Sequence, residues 1–165
     1  MNQPKVRCLI LSCGNTLRGD DGVGPWLAAW AENRFRAEAR LHVVSRQQWT
    51  PELAEEIAHA QSVLFIDCSV GSAPGSVKLA AVEPAAGDQA HATHHMGAPE
   101  LLALCRELYN SLPPHAQQLT VGAGSVAVSE EFSAPMTAAL PKACRLIEET
   151  VLRLFDAPEQ IESAQ

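Results

Sequence analysis

The residues best suited to chemistry in this chain are carboxylates and imidazoles placed at turns. Asp20 and Asp21 lie in the glycine-rich segment LSCGNTLRGDDGVG, directly after an apolar run. Asp67 ends another apolar run, and His94 and His95 are adjacent in ATHHMG. Two carboxylates and one imidazole would give a metal site with open positions. This mixed donor set is compatible with Ni, Zn, Mn or Fe and does not discriminate among them.

The glycine-rich turn could alternatively cradle a phosphate. A dinucleotide site needs G-x-G-x-x-G directly after the first strand, with backbone amides facing the pyrophosphate. Here the chain reads C-G-N-T-L-R-G-D-D-G-V-G, and two carboxylates stand where the anion would lie. The turn therefore favours a cation over a phosphate.

Structural roles compete with the chemical ones at each position. Asp20 or Asp21 alone could cap the helix entered at Gly24, and two neighbouring histidines alone would be typical of a solvated loop. Asp67 is harder to explain, because an isolated carboxylate among apolar residues is costly. Cys68 could be a nucleophile, although a buried structural thiol is the more frequent role. The protease motifs H-E-x-x-H and G-x-S-x-G are absent.

Alternating apolar runs and helical patterns predict how these residues are positioned. Strands are expected at 6–11, 41–45, 62–70 and 76–82, and a last strand followed by a loop is expected within 118–128. Helices are expected at 26–35, from Thr50 as N-cap, at 99–112 and at 134–155. This order predicts an α/β three-layer sandwich, a twisted and mostly parallel sheet with helices on both faces. Ligands bind such sheets at the carboxyl ends of the strands. The candidate loops are therefore 15–24, 47–49, 67–69 and the loop that reaches His94 and His95.

Composition limits the function classes. The 165 residues are expected to form a single domain, 1–165, with 156–165 as a frayed tail. A net charge of −7, from 12 basic and 19 acidic residues, argues against nucleic acid as a partner. No apolar run is long enough to predict a membrane span. Five cysteines without a C-x-x-C pair are typical of reduced thiols, so a cytoplasmic location is expected.

Three motifs together resemble those of the hydrogenase maturation endopeptidases. LILSCGNTLRGDDGVGPWLA, FIDC and THHMGAPELLAL match that family's G-N-x-x-x-x-D-D/E-x-x-G loop, its strand ending in Asp and its H-x-x-G segment before a later helix. The motifs follow in the family's order from about residue 6 to residue 155. The resemblance implies a hydrolase of aspartyl type. Such an enzyme removes the C-terminal extension of a [NiFe]-hydrogenase large-subunit precursor after nickel insertion, and so activates the hydrogenase.

The resemblance also implies roles for individual residues. By motif position, nickel already bound to the precursor would be recognised by the catalytic set Asp21, Asp67 and His94, with His95 as the alternate ligand. The segment at Gln47, Gln48 and Trp49 is similar to an H-Q-L-T-P-E-L branch of the family and would select which hydrogenase is processed. The remaining motif residues would shape the loop, and its glycines would let it approach the metal-bearing ligand closely: Gly14, Asn15, Gly19, Asp20 and Gly24.

Two departures and two alternatives accompany this interpretation. Cys13 stands where the family usually has glycine, and Asp21 replaces a glutamate found in several relatives.

The protein's own metal site is expected to be weak, and the free chain is expected to be a monomer. A non-catalytic nickel-sensing chaperone of the precursor would need the same ligands, and a small-molecule metallohydrolase would bind metal tightly by itself.

Overall fold

The computed structural model describes residues 6–87 and 96–158. These residues form an α/β structure in which strands and helices alternate. In chain order they are β1 (Cys8–Cys13), a 3₁₀ turn (Gly19–Gly22), α1 (Val23–Arg34), β2 (Leu41–Arg46), α2 (Leu53–Ala58), β3 (Ser62–Ser69), β4 (Val77–Ala81), α3 (Ala98–Tyr109), β5 (His115–Gly122) and α4 (Ala134–Asp156). Within these described ranges no helix is long and apolar enough to cross a membrane.

The strands form one sheet in the order β2-β1-β3-β5-β4. β1, β2, β3 and β5 are parallel, and β4 pairs antiparallel with β5 at the edge. The predicted mostly parallel sheet is therefore confirmed. The carboxyl ends of the four parallel strands lie at the same end of the sheet, which we call the upper end.

Two hydrophobic layers cover the two faces of the sheet. Alternate residues of a strand point to opposite faces, so Ile10 packs with α1 and α4, whereas Leu9 and Leu11 pack with α2 and α3. Both faces of the central strands are buried, and this is why their sequences are continuous apolar runs. The predicted three-layer sandwich is confirmed.

The direction of the edge strand β4 determines at which end of the sheet the loop that contains His94 and His95 begins. Because β4 runs antiparallel to β5, it ends at the lower end of the sheet and not beside the other strand ends. The prediction that the loop containing His94 and His95 follows a strand at the upper end is therefore wrong. The chain nevertheless returns, since Met96 and Gly97 lie at the upper end, where α3 begins.

Several predicted boundaries also differ from those observed. β5 begins at His115, before the predicted 118, and ends at Gly122. The Ala123 N–H still donates to the Ser69 carbonyl, whereas the N–H groups of Gly124 and Ser125 donate to Asp20 and leave the sheet. The prediction that Thr50 is the N-cap of α2 is wrong, since the N-cap of this helix is Glu52 and no side chain caps it. α3 ends at Tyr109, because Asn110 adopts the left-handed conformation that terminates helices.

Candidate functional site

An open cleft of about 870 Å³ lies at the upper end of the sheet. The loops after β1, β2, β3 and β5 surround it, together with the first turn of α3. The lining residues are Cys13, Gly14, Asn15, Arg18, Asp21, Gln47, Gln48, Trp49, Pro51, Asp67, Cys68, Val70, Met96, Gly97, Glu100 and Val126. Both predicted carboxylate ligands and the predicted recognition segment 47–49 therefore face a single cleft.

Asp67 lies near the carboxyl end of the buried strand β3. Its Oδ1 accepts a hydrogen bond of 2.7 Å from the backbone N–H of Cys68, and the Cys13 thiol donates to the same carboxylate. Burial raises the pKa of Asp67, the two hydrogen bonds lower it, and the negative charge of Asp21 raises it further, so that the net shift is upward. A cation in the cleft would stabilise the ionised form of this carboxylate.

Asp21 lies in the 3₁₀ turn before α1, and its carboxylate is half-buried. Its Oδ2 accepts a hydrogen bond of 2.7 Å from the backbone N–H of Asn15. This bond orients the carboxylate from within its own loop. Because the charge of Asp21 acts on Asp67, the two carboxylates form one negative centre at the base of the cleft.

The predicted imidazole ligands, His94 and His95, lie outside the described residues. Met96 and Gly97, which follow them, line the cleft, and Gly97 is the N-cap of α3. Within residues 6–87 and 96–158, no three His, Cys, Asp or Glu side chains are grouped closely enough to hold a metal ion.

Asp20 has a different role from the predicted helix cap. The N-cap of α1 is Gly22, and no side chain bonds to it, so the capping alternative is wrong for both Asp20 and Asp21. Asp20 is fully buried and accepts hydrogen bonds from the N–H groups of Gly124, Ser125 and Ser133 and from the Ser133 hydroxyl, at 2.6–3.1 Å. Burial raises its pKa, but these four bonds lower it more, and the net shift is downward. Asp20 therefore fastens the loop 123–133 to the 3₁₀ turn.

The glycines of the first motif serve the packing of the loop on its own backbone. A Cβ at Gly14, whose φ is +149°, would overlap the carbonyl oxygen of Asp21. A Cβ at Gly24 would overlap the carbonyl oxygen of Cys13. Glycine is therefore required at both positions for the packing of the loop on its own backbone.

Asn15 and Gly19 shape the same loop through hydrogen bonds. The Asn15 side-chain oxygen accepts from the N–H of Leu17 at 2.9 Å, which closes a local turn. The Gly19 N–H donates to the carbonyl of Ser129 at 2.7 Å and joins this loop to residues 123–133.

The predicted recognition segment forms one wall of the cleft. Gln47 and Gln48 are exposed. Trp49 is buried, and its ring packs edge-on against Phe65 with centroids 5.3 Å apart. The Trp49 Nε1–H has no hydrogen-bond partner among the described residues. The glutamines are thus available to a ligand, whereas the tryptophan ring supports the wall behind them.

The contribution of the loop after β5 to the cleft was not predicted. Val126 of that loop lines the cleft, as do Arg18 and Glu100. A strand and a loop were predicted within 118–128, but the loop was not counted among the candidate loops of the site. Gly122 and Gly124, which flank Ala123 in TVGAGS, were a usable signal that the strand ends there.

Cys68 does not have the properties of a nucleophile. Burial raises the pKa of its thiol to about 12, and the nearby charges of Asp21, Asp67 and Asp20 contribute to this increase. A thiol with such a pKa is protonated at neutral pH, whereas the thiolate is the reactive form.

Comparison with known proteins identifies the fold. No protein-family model and no curated protein matches the sequence. Among solved structures, the [NiFe] hydrogenase maturation protease HybD from Thermococcus kodakarensis is similar, with 25% identity, coverage of 87% of this chain and 98% of its own, and a TM-score of 0.62. HycI from Thermococcus kodakarensis KOD1 has 24% identity, coverages of 92% and 94%, and a TM-score of 0.64.

The hydrogenase maturating endopeptidase HybD from E. coli has 16% identity, coverages of 89% and 93%, and a TM-score of 0.70. These similarities extend over nearly the whole length of both chains in each pair. The chain therefore has the fold of the hydrogenase maturation endopeptidases, and the predicted resemblance to that family is confirmed at the level of the fold.

Proposed function

We propose that this protein is an endopeptidase that removes the C-terminal extension of a [NiFe]-hydrogenase large-subunit precursor after nickel insertion. The observation that carries the proposal is the convergence of Asp21 and Asp67, from the ends of two neighbouring parallel strands, in an open cleft of about 870 Å³. A cleft of this size accepts several residues of extended peptide. The names of the similar solved structures, maturation protease and maturation endopeptidase, support the same activity.

Nickel enters this proposal as part of the substrate. Two carboxylates that line one cleft, of which Asp67 has a raised pKa partly because of the charge of Asp21, offer oxygen ligands to a divalent cation, and the cation would stabilise their ionised forms. We assign Asp21, Asp67 and His94 as the residues that bind the nickel carried by the precursor. Binding of the metal at the base of the cleft would hold the neighbouring peptide in one register, so that the same bond is always presented for hydrolysis.

The outer wall of the cleft is proposed to choose the client. Gln47 and Gln48 are exposed and offer amide donors and acceptors to a peptide in the cleft. Trp49 fixes the backbone of this wall by packing on Phe65. We propose that the free protein is a cytoplasmic monomer, and the absence of disulfides among its five cysteines supports a reducing compartment.

Mass spectrometry of a cognate large-subunit precursor tests the proposal. The precursor is incubated with this protein in nickel-loaded and nickel-free forms. We expect loss of a discrete C-terminal peptide from the loaded form alone. A loaded precursor that binds but keeps its extension would support the chaperone alternative, and cleavage without nickel would contradict the role given to the two carboxylates. Tight binding of nickel or zinc by the isolated protein would support the metallohydrolase alternative.

The two histidines are separated by a pair of substitutions. We expect His94→Ala to reduce the cleavage rate at least about 100-fold, because the substrate metal would lose one of its three protein ligands and its position. His95→Ala is expected to cleave at close to the wild-type rate. Rates are measured on the nickel-loaded precursor by mass spectrometry. The reverse order of effects would transfer the role to His95.

Replacing Cys68 tests whether hydrolysis needs a thiol. Because the Cys68 thiol is protonated at neutral pH, we expect Cys68→Ser to retain kcat/KM close to wild type. In the wild-type protein, iodoacetamide at pH 7 is expected to leave Cys68 unmodified while the chain is folded. Rapid alkylation together with inactivation of Cys68→Ser would make this cysteine the nucleophile.

A further inference from the structure

Two exposed apolar side chains lie on paired segments next to the cleft. Leu17 is 56% exposed and Val128 is 87% exposed. Their neighbours Arg18 and Ser129 form an isolated parallel bridge, and the Ser129 N–H donates to the Leu17 carbonyl at 3.0 Å. These contacts join the segments that carry Leu17 and Val128, and both side chains are exposed there.

A second apolar pair extends this surface. Trp26 is 41% exposed, and its ring packs edge-on against Phe132 with centroids 6.4 Å apart. Gly22 lies close to both Thr16 and Phe132. The Trp26–Phe132 pair therefore borders the loop that carries Leu17. We refer to Leu17, Trp26, Val128 and Phe132 as the rim patch.

The loop that carries half of this patch is held rigidly. Asp20 binds its beginning through the N–H groups of Gly124 and Ser125, and its end through Ser133. The Gly19 N–H binds its middle at the Ser129 carbonyl. A buried carboxylate with four hydrogen bonds thus keeps Val128 exposed in one position. Such preorganisation lowers the entropy lost when a partner binds.

We propose that the rim patch binds an apolar face of the folded body of the large-subunit precursor while its extension lies in the cleft. This inference rests on the proposed function. The patch is continuous with the cleft, because Val126 of the same loop and Arg18, next to Leu17, line it. A precursor bound at the patch would have its extension within reach of the cleft, and this favours the precursor as occupant.

Charge adds a second feature of the expected partner. Glu130 and Glu131 are exposed and follow Val128 after one intervening residue, Ser129. The face of the precursor that meets the patch is therefore expected to be apolar with basic residues at its margin, since complementary charges speed association and exclude wrong partners.

A double substitution tests the patch, with a matched control. Leu17→Ser/Val128→Ser removes two exposed apolar side chains beside the cleft. Leu108→Ser/Leu152→Ser removes two that are 60% and 47% exposed on α3 and α4, outside the cleft lining. KM and kcat are measured on the nickel-loaded precursor. The Kd is measured by fluorescence anisotropy on the nickel-free precursor, in which no metal can bind to the carboxylates.

For the Leu17/Val128 variant we expect KM and Kd to rise about tenfold with kcat unchanged, and no change for the control. Wild-type values of both KM and Kd would overturn the inference. A wild-type protein that binds the nickel-free precursor but cleaves no loaded one would contradict the proposed function alone. A wild-type dimer in light scattering that the Leu17/Val128 variant converts to monomer would assign the patch to a second copy and overturn the precursor as occupant.

Discussion

Replacing Asp67 with asparagine is expected to reduce the rate of precursor cleavage at least about 100-fold while leaving the chain folded. The amide keeps an oxygen that can accept the hydrogen bond from the Cys68 N–H, so the end of β3 retains its geometry. It loses the negative charge that, in the proposed function, would act with Asp21 to bind the substrate's nickel. Cleavage is measured on the nickel-loaded precursor by mass spectrometry.

The same substitution is expected to leave stability at pH 7 equal to or greater than that of the wild type. The pKa of Asp67 is raised in the folded state, chiefly by burial, so the folded protein binds the proton more tightly than the unfolded chain. Wild-type stability is therefore lost as pH rises from the ordinary aspartate pKa through the raised one, and Asp67→Asn lacks this loss. Urea unfolding at several pH values measures the difference between the two proteins.

The control for this substitution is Glu32→Gln, an exposed carboxylate on α1 away from the cleft. It changes the net charge of the protein by the same amount and is expected to cleave at the wild-type rate. If Asp67→Asn cleaved the loaded precursor as fast as Glu32→Gln does, Asp67 would have no part in binding the nickel. An equal loss in both variants would point to net charge as the cause.

The position of the site was predictable because parallel strands end together. The apolar runs of β1 and β3 mark both strands, and the polar residues after each run must then lie at the same end of the sheet. This places Asp21 and Asp67 near each other without any long-range information. The prediction of a cation site came from the residue types at these positions, which are both carboxylates.

The direction of β4 was also available in principle. Residues 70–76 separate β3 from β4. A parallel crossover needs about a dozen residues or more, so such a short connection excludes one. Alternation within the strand carries no such information, because parallel and antiparallel strands expose their side chains with the same period.

The role of Asp20 could not be predicted from local sequence. Its hydrogen-bond partners are 104 to 113 residues away along the chain. Ser125 and Ser133 have no local pattern that links them to the GDDG turn, so the predicted roles of Asp20 were a helix cap, a part of the cation site or a residue that shapes its own loop. In the structure Asp20 accepts four long-range hydrogen bonds and caps no helix, because four hydrogen bonds stabilise a buried negative charge better than a single capping bond would.

These four bonds make Asp20→Ala the substitution with the largest expected effect on stability. It leaves the N–H groups of Gly124, Ser125 and Ser133 and the Ser133 hydroxyl without their acceptor in a part-buried environment. We expect a loss of at least about 3 kcal/mol in the free energy of unfolding, since each buried polar group left unpaired costs about 1–3 kcal/mol. For a chain of this size the melting temperature would fall by roughly 6–12 °C. Glu130→Gln, an exposed acid in the same loop, is expected to change stability by no more than about 0.5 kcal/mol.

The pH dependence of this contribution has the opposite sign to that of Asp67. Hydrogen bonds lower the pKa of Asp20 in the folded state despite its burial. Its stabilisation is therefore fully present above the ordinary aspartate pKa and is lost as pH falls through the lowered value. Wild type and Asp20→Asn are expected to converge in stability under acid, and urea unfolding between pH 7 and pH 3 measures this convergence.

A double-mutant cycle with Ser133 separates the loop anchor from the helix cap. The Ser133 hydroxyl donates to Asp20 at 2.6 Å and also accepts from the Met136 N–H as the cap of α4. Because the two side chains share a bond, the combined loss in Asp20→Ala/Ser133→Ala is expected to be smaller than the sum of the single losses. Strict additivity would mean that the anchor and the cap act independently. The exposed position of Val128 would then need another explanation than the hold of Asp20 on its loop.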